Sequence, residues 1–167
     1  MEKAQLAFRP TWSWLMDNKI AFVGFGFGAG LAPKAAGTWG SLVGMLLAGL
    51  LLGCGLGKLG LFILAVVGFA AGVWICKQTE LALGNVHDYG GIVWDEIVAM
   101  FLVYALIPQG LFWWVIGFAL FRLFDIFKPQ PIKWADSKVS GGLGVMLDDV
   151  IAAAYTVLVV GVLALIF

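Results

Sequence analysis

The stretch Met146–Phe167, MLDDVIAAAYTVLVVGVLALIF, opens beside two carboxylates and then stays apolar to its end. About 20 apolar residues suffice for an α-helix to cross the hydrocarbon core of a bilayer. The segment therefore predicts a membrane helix with acid at its start. Four more apolar stretches precede it, at Ser41–Leu56, Leu59–Cys76, Ile92–Ile107 and Leu111–Phe127. Several are short for a full crossing. They can span by gaining a turn, as the first does if extended from Thr38, or where the bilayer thins locally.

The whole composition agrees with that reading. Of 167 residues, 62% are hydrophobic and 12% charged, and mean hydropathy is +1.01, whereas soluble domains are about 45–50% apolar. No Ser/Pro-rich linker, low-complexity tract or internal repeat divides the chain, so residues 1–167 form one expected domain. Gly40-x-x-x-Gly44, Gly49-x-x-x-Gly53-x-x-x-Gly57 and Gly68-x-x-x-Gly72 let helix backbones approach closely in lipid. The expected fold is all-α: a compact integral-membrane bundle of about five embedded helices with a Gly-rich N-terminal segment. In that segment Gly24, Gly26, Gly28 and Gly30 alternate with Phe25 and Phe27. It reads equally as a helix with two small-residue faces or as a re-entrant turn.

The opening MEKAQLAFRPTWSWLMDNK lacks the apolar core of a signal peptide and reads as an interfacial segment, with Trp12 and Trp14 at headgroup level. Cys54 and Cys76, both inside apolar stretches and in no C-x-x-C pattern, read as packing residues. Ten basic and ten acidic residues balance, so net charge points to neither nucleic acid nor an acidic partner.

Charge distribution is more informative. With five crossings, Lys3, Arg9, Lys19, Lys34, Lys77, Lys128, Lys133 and Lys138 fall on one side and only Lys58 on the other. Basic residues are retained in the cytoplasm, which predicts an inside N-terminus and an outside C-terminus. Asp95 and Glu96 then start the third apolar helix, Arg122 and Asp125 end the fourth, and Asp148 and Asp149 start the fifth, all at the cytoplasmic end. Each embedded charge costs about 2.5–3.5 kcal/mol on insertion scales. Neighbouring carboxylates also repel, so they require protonation, pairing with Arg122 or a bound cation. A hard divalent ion such as Mg²⁺ takes carboxylate, phosphate and water oxygens, and it is the expected cofactor. Against this stand plainer readings: an Arg122–Asp125 ion pair at i,i+3, and acid doublets merely solvated at the interface.

Two loops on the same side complete the candidate site. Ala32-Pro33-Lys34-Ala35-Ala36-Gly37-Thr38-Trp39-Gly40-Ser41 leads into the first long helix, where backbone N–H groups, Lys34, Thr38 and Ser41 suit an anion. The alternative is an ordinary capped helix start. Lys128-Pro129-Gln130-Pro131-Ile132-Lys133-Trp134-Ala135-Asp136-Ser137-Lys138 is a basic, proline-stiffened loop that attracts anionic headgroups, although topology determination also explains its lysines. His87 is the only histidine and cannot by itself make a multi-histidine metal site; it reads as a general acid/base or a polar loop residue. Gly24-x-Gly26-x-x-Ala29 lacks the strand context of a dinucleotide site.

Four segments, GFGFGAGLAPKAAGTWGS (24–41), VHDYGGIVWDEIVAM (86–100), FRLFDIFKPQPIKWADSKV (121–139) and GGLGVMLDDVIAA (141–153), together resemble the phosphatidylglycerophosphatase A family. The resemblance runs from about Val23 to Ala154. It implies a helical fold and magnesium-dependent hydrolysis of phosphatidylglycerophosphate to phosphatidylglycerol and phosphate in bacterial phospholipid synthesis. It maps the acidic motifs onto Asp95, Glu96, Asp125, Asp136, Asp148 and Asp149. Ala36 departs from the second proline that relatives often carry before Gly-Thr. The expected metal set is thus Asp95, Glu96, Asp125, Asp136, Asp148 and Asp149. Asp95, Glu96, Asp125 and Asp149 are the expected catalytic acids. Lys34, Thr38, Ser41, Arg122, Lys128 and Lys133 are the expected phosphate ligands. A cation-coupled transporter and another metal-dependent lipid phosphotransferase are the competing functions. Acids clustered at one face, rather than the midplane, disfavour the former.

Overall fold

The computed structural model describes residues 9–166. Lys3, counted in the charge argument, and Phe167, the end of the last apolar stretch, lie outside them. The chain runs through α1 (Trp12–Asp17), α2 (Lys19–Gly24), a 3-10 segment (Gly26–Leu31), α3 (Ala36–Gly53), α4 (Gly57–Ala82), α5 (Trp94–Leu106), α6 (Leu111–Phe127), α7 (Ile132–Lys138) and α8 (Gly141–Ile166). Among the described residues there is no strand. All five apolar stretches form helices, and α3, α4 and α8 are long and apolar enough to cross a membrane. Their outer faces carry exposed large residues such as Leu50, Leu59, Val67 and Leu158, as expected where lipid is the solvent.

Helix α5 is the axis of the bundle. It packs against α3, α4 and α8, and α8 in turn packs against α6 and α7. Its 13 residues span about 20 Å at 1.5 Å per residue, short of a hydrocarbon core, and from Asp95 to Ala105 nearly every side chain is buried. Pro108 follows its end and opposes helical geometry at Ile107, which is extended. Lys58 Nζ donates to the Ile107 carbonyl at 2.6 Å, closing the end of the bundle remote from the acids. Tyr104 stacks on Trp114 with centroids 4.3 Å apart, tying α5 to α6.

Several boundaries differ from the sequence reading; α3, for one, begins at Ala36 rather than at Ser41 or Thr38. Helix α8 starts at Gly141, ahead of the apolar stretch that opens at Met146, so the Gly141-Gly142-Leu143-Gly144 run is its first turn. A Cβ on Gly142 would run into the Val73 carbonyl of α4, and only the bare backbone allows that approach. Asp148 and Asp149 consequently lie about two turns inside α8 instead of at its start. Helix α4 continues past Cys76 to Ala82, because Thr79 and Glu80 are buried with the rest of its inner face. The proline-stiffened Lys128–Lys138 loop contains the short helix α7.

The Gly-rich segment resolves as a 3-10 turn. Phe27 sits in the left-handed region at φ 59°, ψ 28°, a conformation disfavoured for a bulky residue. Edge-on contacts of its ring with Phe22 and Trp94 hold it there. Of the two N-terminal tryptophans, Trp12 is exposed while Trp14 packs on Phe25. Cys76 is buried as expected; Cys54 is exposed, because α3 stops just before it.

Candidate active site

Local sequence sets the inner acids. Asp95 and Glu96 occupy the first turn of α5, where carboxylates complement the positive end of the helix dipole. Asp149 reaches the same point from α8. The three side chains are buried, and each offers an oxygen within 4.8 Å of the others. Asp125 of α6 lies within electrostatic reach of both Asp149 and Glu96, and Asp95 has Glu96 and Asp149 as charged neighbours. Like charges so close, with little water, cannot all be stable as an isolated set.

Among the described residues the adjacent cation is Arg122. Its Nη1 lies 2.5 Å from Asp125 Oδ2 and 3.8 Å from Glu96 Oε1, and it donates to Ser41 Oγ at 3.3 Å. The i,i+3 ion pair of the plainer reading is therefore present, and it sits inside the cluster rather than replacing it. Compensation is incomplete: Asp95 Oδ1, Glu96 Oε2 and Asp149 Oδ2 are buried without a partner among the described residues, as is Arg122 Nε. Three inward carboxylates from two helices, each with a free oxygen, suit a hard, oxygen-seeking divalent cation.

Asp136 and Asp148 belong to an adjoining group. Lys128 Nζ lies 2.5 Å from Asp136 Oδ1 and 2.6 Å from Asp148 Oδ2, bridging α7 and α8. Burial works against the ammonium, but these hydrogen bonds and charges outweigh it and hold Lys128 above the usual lysine range. His87, Asp88, Asp136, Gly144, Val145 and Asp148 line a small cleft here. His87 Nδ1 is 2.6 Å from Glu80 Oε1, which also accepts the Asp88 backbone N–H at 2.9 Å.

The other expected phosphate ligands are differently placed. Lys34 and Lys133 are exposed and Thr38 is half-buried near the start of α3. The left-handed Ala35 precedes that helix without a side-chain cap. Ser41 is fully buried, its hydroxyl donating to the Gly37 carbonyl at 2.8 Å. The sequence reading missed Glu80. A signal existed: the Gly68, Gly72 ladder continued by fours reaches Cys76 and Glu80, and all four are buried.

The family described as Phosphatidylglycerophosphatase A matches residues 22–164. The chain belongs to this family. A phosphatidylglycerophosphatase A from Haemophilus influenzae is 47% identical over 144 residues, covering 86% of this chain and 87% of the relative. One from Escherichia coli K12 is 39% identical over 138 residues, covering 82% and 78%. A Bacteroides thetaiotaomicron protein provisionally named a phosphatidylinositol-3-phosphatase is 36% identical over 156 residues, covering 84% and 90%. No solved structure matches the chain. The matched span contains every expected site residue, Lys34 to Asp149.

Proposed function

We propose that this membrane protein hydrolyses the phosphomonoester of phosphatidylglycerophosphate, releasing phosphatidylglycerol and inorganic phosphate at the cytoplasmic face of a bacterial inner membrane. Beside family membership, the observation that carries the reading is the convergence of Asp95, Glu96 and Asp149, each with a buried, unpartnered oxygen. Asp95, Glu96 and Asp149 would hold Mg²⁺, with Asp125 beside them. Bound there, Mg²⁺ would offset the acids' charge and polarise a phosphoryl oxygen.

The chain's own residues supply the rest. Arg122, with an unpartnered Nε–H, is the donor and cation for a phosphate oxygen; fixed donors at a developing charge need no reorganisation during reaction. Lys34, at the start of α3, and Lys133, on the α6–α7 side, draw the anionic headgroup to the interface, where the Thr38 hydroxyl and the Lys128 ammonium are further proposed donors to phosphate. Hydrolysis forms a P–O bond from water, breaks the bond to glycerol and transfers the proton lost by the water onward to the glycerol oxygen. Asp125, at the less enclosed edge of the cluster, is the carboxylate proposed to take the water's proton.

Purified protein in mixed micelles should release phosphate from phosphatidylglycerophosphate in Mg²⁺ and stop in chelator. A soluble phosphomonoester should react far more slowly, because the lipid arrives concentrated and oriented. Phosphatidylinositol 3-phosphate is the informative competitor, given the Bacteroides relative. Equal turnover of the soluble compound would remove the lipid reading, and preference for the inositol lipid would change the substrate. The proposed orientation expects Lys138→Cys, in a chain lacking Cys54 and Cys76, to be labelled only from the cytoplasm and Lys58→Cys only from outside; the reverse would invert the topology.

A further inference from the structure

Ser41 stands in the sequence as a hydroxyl for phosphate, yet it is fully buried. Its single proton is directed to the Gly37 carbonyl one turn back, at 2.8 Å. A hydroxyl has one proton and two acceptor lone pairs, so with that proton spent the oxygen is left as an acceptor. It faces Arg122 Nη1 at 3.3 Å. The preceding turn of α3 meets the same groups: a Cβ on Gly37 would collide with Glu96 Oε1 and crowd both terminal nitrogens of Arg122. Two successive turns of α3 thus abut one guanidinium, one through a hydroxyl and one through a missing side chain.

Arg122 needs such a support. Its carboxylate partners, Asp125 at 2.5 Å and Glu96 at 3.8 Å, also belong to the acid cluster and attract the guanidinium toward themselves. Ser41 approaches from α3 and is neutral. We infer that Ser41 is a positioning residue, which acts through Arg122 by fixing the plane of its guanidinium, and so the direction in which its buried, unpartnered Nε–H points, while Gly37 keeps the space clear.

The inference rests on the phosphatase reading, and its test is a double-mutant cycle on phosphatidylglycerophosphate turnover. Ser41→Ala should lower kcat/KM roughly tenfold, the scale of one hydrogen bond to a charged group. Arg122→Lys keeps the charge but loses the fork, and adding Ser41→Ala to it should cost less than twofold more. Ser41→Thr, which retains a hydroxyl able to bond the carbonyl one turn back, should recover most of the loss. Equal penalties in both backgrounds, or a loss that follows Tm alone, would overturn the role. Should Arg122→Lys not fold, an arginine-selective dicarbonyl reagent decides. With Arg9→Lys, Arg122 is the sole arginine, and Ser41→Ala should speed its modification severalfold. An unchanged rate would overturn the inference. A wild-type chain inert toward the lipid would instead refute the phosphatase reading, and the reagent rate would still report on Ser41.

Discussion

At the α7 edge of the bundle, Asp136 and Asp148 share the ammonium of Lys128, and Glu80 holds His87 and the Asp88 backbone. One residue along α8, Asp149 meets Asp95 and Glu96; these three each keep a buried oxygen without a partner, as does Asp148 Oδ1, but Asp148 has a lysine on its other oxygen. The same side-chain chemistry is thus used in two ways at one end of one fold. In the outer group a lysine built into the chain supplies the positive charge for Asp136 and Asp148, which brace α7 against α8, while Glu80 braces the following turn against α4. In the inner group Arg122 compensates only part of the charge. Buried carboxylates left without a cation are costly, so a set that retains them is suited to an ion from outside.

That contrast ranks the expected effects of mutation. Asp95→Asn and Asp149→Asn preserve shape but remove the charge a divalent ion needs, and should each lower turnover on the order of 100-fold or more, as when one preorganised electrostatic group is removed. Asp125→Asn, which removes the carboxylate proposed to take the water's proton, should fall in the same range. Asp136→Asn, in the outer group, should retain most activity. Comparable losses for Asp136→Asn and Asp149→Asn, measured as initial rates on folded protein, would erase the distinction.

Lys128→Ala comes next. It strands Asp148 buried without its cation, and truncating one partner of a buried pair costs about 3–5 kcal/mol; with Lys128 a quarter exposed, the lower end applies. The readout is a clear drop in Tm together with partial loss of turnover, and the double variant Lys128→Ala/Asp148→Asn should recover part of the Tm. No recovery would mean that the bridge is not what Lys128 contributes. Glu80→Ala should have the smallest effect, about 1–2 kcal/mol for an amide left unpaired, seen as faster hydrogen exchange at Asp88 with turnover within a few fold of wild type. A larger loss of turnover than for Lys128→Ala would move the 80–88 turn into the active site.

Much of this was legible before the structure. Apolar run lengths located all five long helices, and Leu111–Phe127 matched α6 at both ends. The acids of α5, α6 and α8 converged as the segment order predicted, because helix direction alone fixes which ends meet. Helix rotation was less accessible. Asp148 and Asp149 are adjacent, and nothing in that doublet tells which faces Lys128 and which faces Asp95; α4, α6 and α7 decide it by packing. The burial of Ser41 was hidden for a related reason. A hydroxyl near a helix start suggests an anion ligand, whereas its burial against α6 depends on Gly37 and Gly40 letting α3 approach its neighbours. The start of α8 was missed because a Gly-rich run has the composition of a loop, and only the carbonyl of Val73 beside Gly142 explains why glycine is required there.

The central claim is that the inner acids form a divalent cation site and the outer ones do not. Binding of Mn²⁺, as a paramagnetic substitute displaced by Mg²⁺, measured by spin resonance on the purified protein in detergent, tests it without relying on turnover. Wild type and Asp136→Asn should bind Mn²⁺ with similar affinity and release it to Mg²⁺, while Asp149→Asn and Asp95→Asn should bind at least tenfold more weakly, the low end of the loss expected for weakening a metal site. Undiminished binding by Asp149→Asn, or loss of binding in Asp136→Asn alone, would contradict the account.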